Sequence, residues 1–244
     1  MNDPIHIQNL SKTFKLPHER RDTLKENLLK IAKKRTYEEF HALKDVSLNI
    51  QKGDFVGVVG RNGSGKTTLL KLIAGIYQPS EGTVKVDGKI APFLELGIGF
   101  QPELTARENI VVNATLLGLT RAQIKEKFDE IVSFAEIENF LDLKIKNFSA
   151  GMKARLAFAI AKEADADIYL CDEVLAVGDE GFQKKCMTVF EKWKEEGKTI
   201  LLVTHNSDQI RDLCTKAFFL QQGQLVAAGA PAEIVERYHQ SLAL

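Results

Sequence analysis

A glycine-rich turn after a short apolar run constrains this chain more than any other feature. Residues 60–67 read GRNGSGKT; the apolar run 55–59 precedes them, and helical spacing of apolar residues follows over 67–74. Glycines let the main chain curl until its N–H groups point inward, and the positive end of the following helix dipole faces the same space. The pattern G-x-x-x-x-G-K-[ST] therefore predicts a loop that binds phosphate groups.

Two positions of this loop are expected to do most of the chemistry. Lys66 is predicted to bridge the β- and γ-phosphates of a nucleotide, and the Thr67 hydroxyl to hold Mg²⁺. The other loop positions predicted to contact the nucleotide are Gly60, Arg61, Asn62, Gly63, Ser64, Gly65 and Thr68. Four such fixed positions recur by chance in roughly 1% of chains of this length. The loop alone is compatible with kinases, GTPases and ATPases.

Two later apolar runs end in side chains suited to the same site. The run 168–171 is followed by Asp172 and Glu173, and the run 199–204 is followed by His205. An acid at a strand end beside the phosphate loop can reach the metal, so Asp172 is predicted to bind Mg²⁺, through water. Glu173 is then the general base for the attacking water, and His205 holds that water and the γ-phosphate in line. The alternatives are acids that only end a strand and a structural histidine.

Strand-like and helical segments alternate along most of the chain, which predicts an α/β fold with a mostly parallel sheet and helices on its faces. Two short strand candidates flank Asp87-Gly88 within residues 81–90, a hairpin signal. Residues 105–143 look mostly helical, with a break at Gly118 and a helix start capped by Thr120.

Charge, cysteine content and the lengths of the apolar runs argue against several classes of protein. The chain has 33 Lys and Arg against 33 Asp and Glu, so its net charge is zero and nucleic acid is not expected as a partner. Its 3 cysteines form no C-x-x-C pair, which argues against a zinc site or a disulfide framework and fits a reducing compartment. The first residues do not resemble a signal peptide, and the apolar runs are too short to cross a bilayer.

Several motifs in order resemble the nucleotide-binding subunits of ABC transporters. After the phosphate loop come FSAGM at 148–152, Asp172-Glu173, AVGD at 176–179 and His205. The resemblance covers nearly the whole chain and implies one ABC ATPase domain over 1–244. That domain has a mostly parallel central sheet, an antiparallel β subdomain and a helical signature subdomain over about 101–162. It also implies ATP and Mg²⁺ as cofactors, and a homodimer in which Ser149 and Gly151 of one copy close over ATP held by the other.

A narrower resemblance is to exporters of O-antigen, capsule and teichoic-acid chains. It is carried by ALKDVS at 42–47, LELGIGF at 94–100 and PELT at 102–105, together with the signature and DEVLAVGD at 172–179. The resemblance implies a separate transmembrane permease dimer, a lipid-linked polysaccharide as substrate and a place on the cytoplasmic face of the inner membrane. The alternative is a soluble ABC-type ATPase acting in DNA repair or translation. This chain lacks the long coiled-coil insertion or second ATPase domain of those classes.

Two family positions are ambiguous in this sequence. The first is the family's Q-loop glutamine, which contacts Mg²⁺ and lies in the transmission loop. Counting back from Thr105 favours Glu95 at this position, with Gln101 as the alternative. The ring that stacks on adenine is expected to be Phe14, at the end of the first strand. Phe40 and His41 are weaker candidates, and core packing is the other interpretation of Phe14.

A basic segment interrupts the first strands at about 15–39. Between positions 15 and 35 it has 8 Lys or Arg and 3 acids, in a chain of zero net charge. Leu24, Leu28 and Ile31 fall on one helical face, which is typical of a helix that lies on anionic lipid headgroups. A solvated helix that caps the domain is the alternative.

Overall fold

The computed structural model describes residues 3–17, 37–94, 97 and 99–242. The basic segment predicted at about 15–39 is described only at its ends, where residues 15–17 and 37–39 are strand residues that pair with one another. The predicted lipid-binding helix with Leu24, Leu28 and Ile31 falls on residues 18–36, and the predicted magnesium contact of Glu95 falls on a second gap. Both therefore lie outside the described residues.

The described chain has nine strands, which form two sheets. Their bounds are β1 Ile5–Pro17, β2 Tyr37–Ile50, β3 Phe55–Val59, β4 Glu81–Val86, β5 Ile90–Phe93, β6 Ile168–Asp172, β7 Thr199–Val203, β8 Lys216–Gln221 and β9 Gln224–Gly229. The larger sheet has the order β5-β6-β7-β3-β8-β9 and is parallel except for the β8–β9 pair. The smaller sheet, β2-β1-β4, is antiparallel. The predicted α/β fold, with its mostly parallel sheet and antiparallel subdomain, is confirmed.

Seven α-helices accompany these strands in the described part of the chain. Their bounds are α1 Lys66–Ile73, α2 Ala106–Leu116, α3 Arg121–Ala135, α4 Ala150–Ala161, α5 Glu180–Glu195, α6 Ser207–Leu213 and α7 Pro231–Leu242. Short 3₁₀ turns occupy Glu138–Phe140, Ile145–Asn147 and Val174–Ala176. The predicted break falls between α2 and α3, where Gly118 has a φ of 90° and Thr120 accepts a hydrogen bond from the Gln123 main chain. Residues 136–143, predicted as helix, contain only a 3₁₀ turn.

The hairpin predicted around Asp87-Gly88 is wrong. β4 pairs with β1 in the small sheet, whereas β5 pairs in parallel with β6 in the large one. β5 carries the buried side chain of Phe93, whose ring packs edge-on against Trp193, so this strand belongs to the main core. β4 is mostly exposed. The Asp87-Gly88 turn thus passes the chain from one sheet to the other.

The large sheet separates two apolar layers because its successive side chains point to opposite faces. Phe55, Tyr169 and Ile200 face one layer, which is completed by residues of α4, α5, α6 and α7. The next residues along the same strands face the other layer, which α1 and the small sheet complete. A third cluster joins α2, α3 and α4 to one another. The two-sided burial holds the carboxyl ends of β3, β6 and β7 side by side.

Candidate functional site

The glycine-rich turn lies at the carboxyl end of β3 and opens into a cavity of about 370 Å³. Its lining includes most of the predicted nucleotide site: Asn62, Gly63, Gly65, Lys66, Thr67, Thr68, Asp172, Glu173 and His205. Three apolar residues that sequence reasoning missed also line it, namely Ala42, Leu94 and Val203. Ala42 lies within β2, Leu94 directly follows β5 and Val203 ends β7. Apolar side chains at such positions cannot be told from core residues in a sequence, so no local signal pointed to them.

Glycine is required at two positions of this turn by close main-chain contacts. Gly60 and Gly65 have φ values of 153° and 105°, in a region that favours glycine. A Cβ atom on Gly60 would lie 2.2 Å from the Leu220 carbonyl oxygen, and one on Gly65 would lie 2.7 Å from that of Ala42. Gly65 immediately precedes α1, so the turn delivers the helix N-terminus to the cavity.

The charged end of Lys66 lies inside the loop. The residue is 7% exposed, and its ammonium donates to the carbonyl oxygens of Gly60 at 2.6 Å and Arg61 at 3.1 Å. Burial lowers the pKa of Lys66, and the nearby carboxylates of Glu173 and Asp172 oppose that shift. The Lys66 ammonium is therefore held by two carbonyl groups of the loop. Phosphate oxygens are predicted to bind to this ammonium.

Thr67 and Asp172 supply adjacent oxygen atoms to the cavity. The Thr67 hydroxyl donates to Oδ2 of Asp172 at 2.6 Å, which joins the start of α1 to the end of β6. Within the described residues, no group of three or more His, Cys, Asp or Glu is placed to hold a metal. A Thr–Asp pair fits Mg²⁺, which prefers oxygen and takes its remaining ligands from phosphates and water. These two residues are the ones that would hold it.

Glu173 is held in an unusual conformation beside His205. Its φ of 56° is left-handed, and its main-chain N–H donates to the Val203 carbonyl at 2.9 Å. Nε2 of His205 lies 3.4 Å from Oε1 of Glu173. Burial raises the pKa of Glu173, His205 partly opposes this shift, and the Asp172 charge adds to it. A strained acid with a raised pKa in a cavity is typical of a general base.

Two buried side-chain oxygens in the described chain accept no hydrogen bond, and both belong to this site. They are Oγ of Ser64 and Oε1 of Glu173. Buried polar atoms normally have partners, because an unpaired one costs about 1–3 kcal/mol. Their coincidence with the phosphate loop supports the prediction that a polar ligand binds here.

The aromatic side chain in the cavity is Phe40, which is 48% exposed. Phe14 pairs with Phe40 across the β1–β2 ladder, but its ring packs edge-on against Tyr77 at a centroid distance of 5.4 Å. The ammonium of Lys12 lies 5.1 Å from the centre of the Phe14 ring. Of the three candidates for the ring that stacks on adenine, the cavity lining includes Phe40 but neither Phe14 nor His41. Which ring stacks on a base stays a prediction.

Ser149 and Gly151 lie apart from the cavity of their own chain. Ser149 is the N-cap of α4, and its hydroxyl accepts a hydrogen bond from the Met152 N–H at 3.1 Å. Gly151 lies exposed in the first turn. The structure thus shows a capped helix start outside the cavity lining, and its role as a second anion site stays a prediction.

Gln101, the alternative to Glu95, is exposed and lies outside the described cavity lining. Its side-chain amide donates to the Gly99 carbonyl at 3.3 Å, and its main chain contacts Asn109 on α2. Asn109 is a buried polar residue that sequence reasoning missed, because nothing local distinguishes it from a surface asparagine. The choice between Glu95 and Gln101 stays a prediction.

The combination of phosphate loop, strand-end acids and histidine is matched by a known family. The family described as "ABC transporter" matches residues 43–176, more than half of the chain. The chain belongs to the ABC transporter family. As the family's nucleotide-binding part it is an ATPase, and the predicted motif resemblance is confirmed.

Relatives within the ABC family are named as export proteins. The chain is 39% identical to the O-antigen export system ATP-binding protein RfbB of Klebsiella pneumoniae over 100% of both chains. It is 45% identical to an RfbB of Myxococcus xanthus over 83% of this chain but 46% of that protein. It is 39% identical to the teichoic acids export ATP-binding protein TagH of Bacillus anthracis over 99% of this chain but 43% of that protein. The chain thus spans less than half of the last two relatives.

Solved ABC cassettes share the fold. A dimeric post-hydrolysis structure of an ATP-binding cassette bound to ADP and Pi superposes with a TM-score of 0.75 at 26% identity, over 93% of this chain and 98% of the other. A dimeric structure of a bacterial ABC transporter cassette gives a TM-score of 0.73 at 27% identity, over 93% and 98% of the two chains. Among the described residues of this chain, no helix has the length and apolar character needed to cross a membrane.

Proposed function

We propose that this ABC ATPase powers the export of a lipid-linked polysaccharide, of the O-antigen, capsule or teichoic-acid type, across the inner membrane. The observation that carries the proposal is the convergence of Lys66, the Thr67–Asp172 pair and the Glu173–His205 pair on one cavity. The names of the RfbB and TagH relatives support export as the process that ATP hydrolysis drives.

The charged and hydroxyl-bearing residues of the cavity divide the work of cleaving the bond to the γ-phosphate. The main-chain N–H groups of the loop and Lys66 bind the phosphates. Thr67 and Asp172 would hold Mg²⁺, which would supply positive charge to the phosphate oxygens. Glu173 accepts a proton from the attacking water, and His205 keeps Glu173 and the water in line with the phosphorus. Most of the rate enhancement would come from positioning and electrostatics, as in other phosphoryl transfers.

A second copy of the chain completes the site. Ser149 and Gly151 lie outside the cavity of their own chain, and a capped helix start favours anions, so they fit the γ-phosphate of ATP held by a partner copy. Two ATP molecules would then bind between two copies. Closure would depend on the γ-phosphate and relax after its loss, which converts hydrolysis into movement.

The remaining partners follow from the export role. A separate transmembrane permease dimer would carry the polysaccharide, and this chain would sit on the cytoplasmic face of the inner membrane bound to that permease. Nucleic acid has no place in this scheme. The competing class is an ABC ATPase that acts on DNA or ribosomes without a membrane partner.

Purification from detergent-solubilised membranes separates these classes. Tagged chain should bring down a permease subunit, and its ATP hydrolysis should rise in the complex. Recovery of ribosomes or DNA, with no membrane protein, would contradict export.

A cell-based comparison tests the substrate. In cells whose own copy is replaced by Glu173→Gln, lipid-linked polysaccharide should accumulate inside and be lost from the surface. The matched control is Glu180→Gln, at an acid on α5 whose side chain is 84% exposed and pairs with Lys184. Cells with this control should display normal polysaccharide. Normal display in Glu173→Gln cells would contradict the proposal.

A further inference from the structure

Asn109 is a polar residue of α2 that is 0% exposed, and its side-chain amide binds the main chain of the turn 101–105. Oδ1 accepts the Gln101 N–H at 2.7 Å. Nδ2 lies 3.1 Å from the Gln101 carbonyl oxygen, 3.2 Å from that of Leu104 and 2.9 Å from that of Thr105. One side chain therefore fixes both ends of the turn through its donor and its acceptor.

The turn 101–105 is also bound to the stretch that leads to the signature. The Ile145 N–H donates to the Leu104 carbonyl at 3.0 Å, and the Lys146 N–H donates to the Pro102 carbonyl at 3.1 Å. The Lys146 ammonium lies 2.9 Å from Oε1 of Glu103. The hydrogen bonds therefore run from Asn109 through the turn to Lys146, which precedes Ser149 by three positions along the chain.

The other end of the turn is close in sequence to the nucleotide cavity. Leu94 lines that cavity, and Gln101 follows it along the chain by seven positions. The Gln101 N–H is bound to Asn109. The amide of Asn109 thus fixes a turn that follows a cavity-lining residue by seven positions in sequence and is hydrogen-bonded to Ile145 and Lys146, shortly before Ser149.

We propose that Asn109 is a positioning residue for ATP hydrolysis. Its amide holds the turn 101–105 and the approach to Ser149 as one unit, so that Ser149 takes its place over the nucleotide bound by a second copy. This inference rests on the proposed function, because it requires Ser149 to act in the partner's site. Asn109 itself lies outside the described cavity lining and acts only through the main chain that it holds.

The hydrogen bonding also indicates what loss of this side chain would do. Each carbonyl that Nδ2 contacts has a second main-chain donor: Leu104 N–H for Gln101, Ile145 N–H for Leu104, and Asn109 N–H for Thr105. Truncation to alanine therefore leaves each of these three carbonyls with a main-chain donor, and the chain should still fold. The Gln101 N–H alone loses the acceptor described here, so the turn should loosen at that end.

The test compares Asn109→Ala with Asn113→Ala. Asn113 lies one helical turn further on α2 and is 8% exposed, and its amide donates to the Asn109 carbonyl within the same helix. For Asn109→Ala, kcat for ATP should fall about tenfold or more, with KM within about twofold of the parent. For Asn113→Ala, both constants should stay within about twofold. In the Glu173→Gln background, Asn109→Ala should also weaken ATP-dependent dimerisation.

Hydrogen exchange of the parent protein and of Asn109→Ala gives a second measurement, which does not depend on ATP hydrolysis. The Gln101 amide should exchange as slowly as the amides of α2, and Asn109→Ala should speed its exchange by about tenfold or more. Fast exchange in the parent, or unchanged kcat in folded Asn109→Ala, would overturn the proposal. So would equal losses in the two alanine variants. A parent protein that hydrolyses no ATP would instead contradict the proposed function.

Discussion

The Thr67 hydroxyl donates a 2.6 Å hydrogen bond to the Asp172 carboxylate across 105 positions of sequence. β7 lies between β3, which precedes Thr67, and β6, which ends at Asp172. The pair therefore spans the carboxyl end of β7, the strand between the two. This edge of a parallel sheet is the usual place for ligand sites in such folds. The predicted magnesium site would thus be built from the sheet topology rather than from a contiguous motif.

The Thr67 hydroxyl should be required for magnesium, and its methyl group should not. We expect Thr67→Val to raise the Mg²⁺ concentration needed for half-maximal ATP hydrolysis by about tenfold or more. Thr67→Ser keeps the hydroxyl and should stay close to the parent. A magnesium titration of ATPase activity measures both. Equal titrations for the parent and the valine variant would exclude Thr67 as a ligand.

The pKa of Glu173 should appear in the pH dependence of the reaction. Burial raises this pKa above the ordinary value of 4.5, so the base becomes protonated, and kcat falls, at a higher pH than for an ordinary carboxylate. His205 opposes the shift, so His205→Gln should move the acid limb to still higher pH. Glu173→Gln should retain ATP binding and lower kcat by about a hundredfold or more. Near-normal hydrolysis by Glu173→Gln would show that another group orients the water.

The raised pKa of Glu173 should also make the stability of the folded chain depend on pH. Because the folded-state pKa of Glu173 is raised, the ionised form is disfavoured by the fold, and the stability linked to this group is lost as pH rises through that pKa. Glu173→Gln should therefore melt at a higher temperature than the parent at pH 8. The difference should shrink as pH falls through the pKa of Glu173. A difference in melting temperature that is the same at every pH would contradict the assigned cause.

Ser149 should matter for hydrolysis beyond its role as a helix cap. Ser149→Ala removes the acceptor of the Met152 N–H and should cost about 1 kcal/mol of unfolding free energy. ATP binding to the isolated chain should be unchanged, whereas hydrolysis and ATP-dependent dimerisation should fall. The control is Thr120→Ala, which removes the cap of α3 at a similar cost in stability. If both variants lose activity equally, Ser149 acts only as a cap.

Base stacking should distinguish Phe40 from Phe14. Phe40 lines the cavity, while the Phe14 ring packs against Tyr77. Stacking on a base is worth about 1–3 kcal/mol, so Phe40→Ala should weaken ATP binding about fivefold or more, and Phe14→Ala should weaken it less. Titration with a fluorescent ATP analogue measures both affinities. A larger effect for Phe14→Ala would favour the interpretation drawn from the sequence.

The phosphate loop could be predicted from sequence because its residues are contiguous and its glycines are required by the main chain. Gly65 must be glycine where a Cβ atom would meet the Ala42 carbonyl. Asp172 and His205 could be predicted because each follows a short apolar strand. The carboxyl ends of parallel strands lie at one edge of the sheet, so residues at these ends are expected to meet in one site.

Other features depend on contacts that no local pattern records. Asp87-Gly88 has the composition of a hairpin turn, but the buried Phe93 places β5 in the other sheet. Phe14 and Phe40 are cross-strand partners, yet the Phe14 ring packs against Tyr77 and Lys12 whereas Phe40 lines the cavity. The hydrogen bonds of Asn109 become visible only once the turn 101–105 has folded onto α2.

The most direct test of the account is ATP hydrolysis by purified Lys66→Met beside the parent. Lys66 is buried in the loop, where its ammonium is predicted to meet the phosphates, so its loss should lower hydrolysis by about a hundredfold or more. The matched control is Lys52→Met, at an exposed lysine before β3, which should stay within about twofold of the parent. If Lys66→Met binds and cleaves ATP as well as the parent, the site described here is not the site of catalysis.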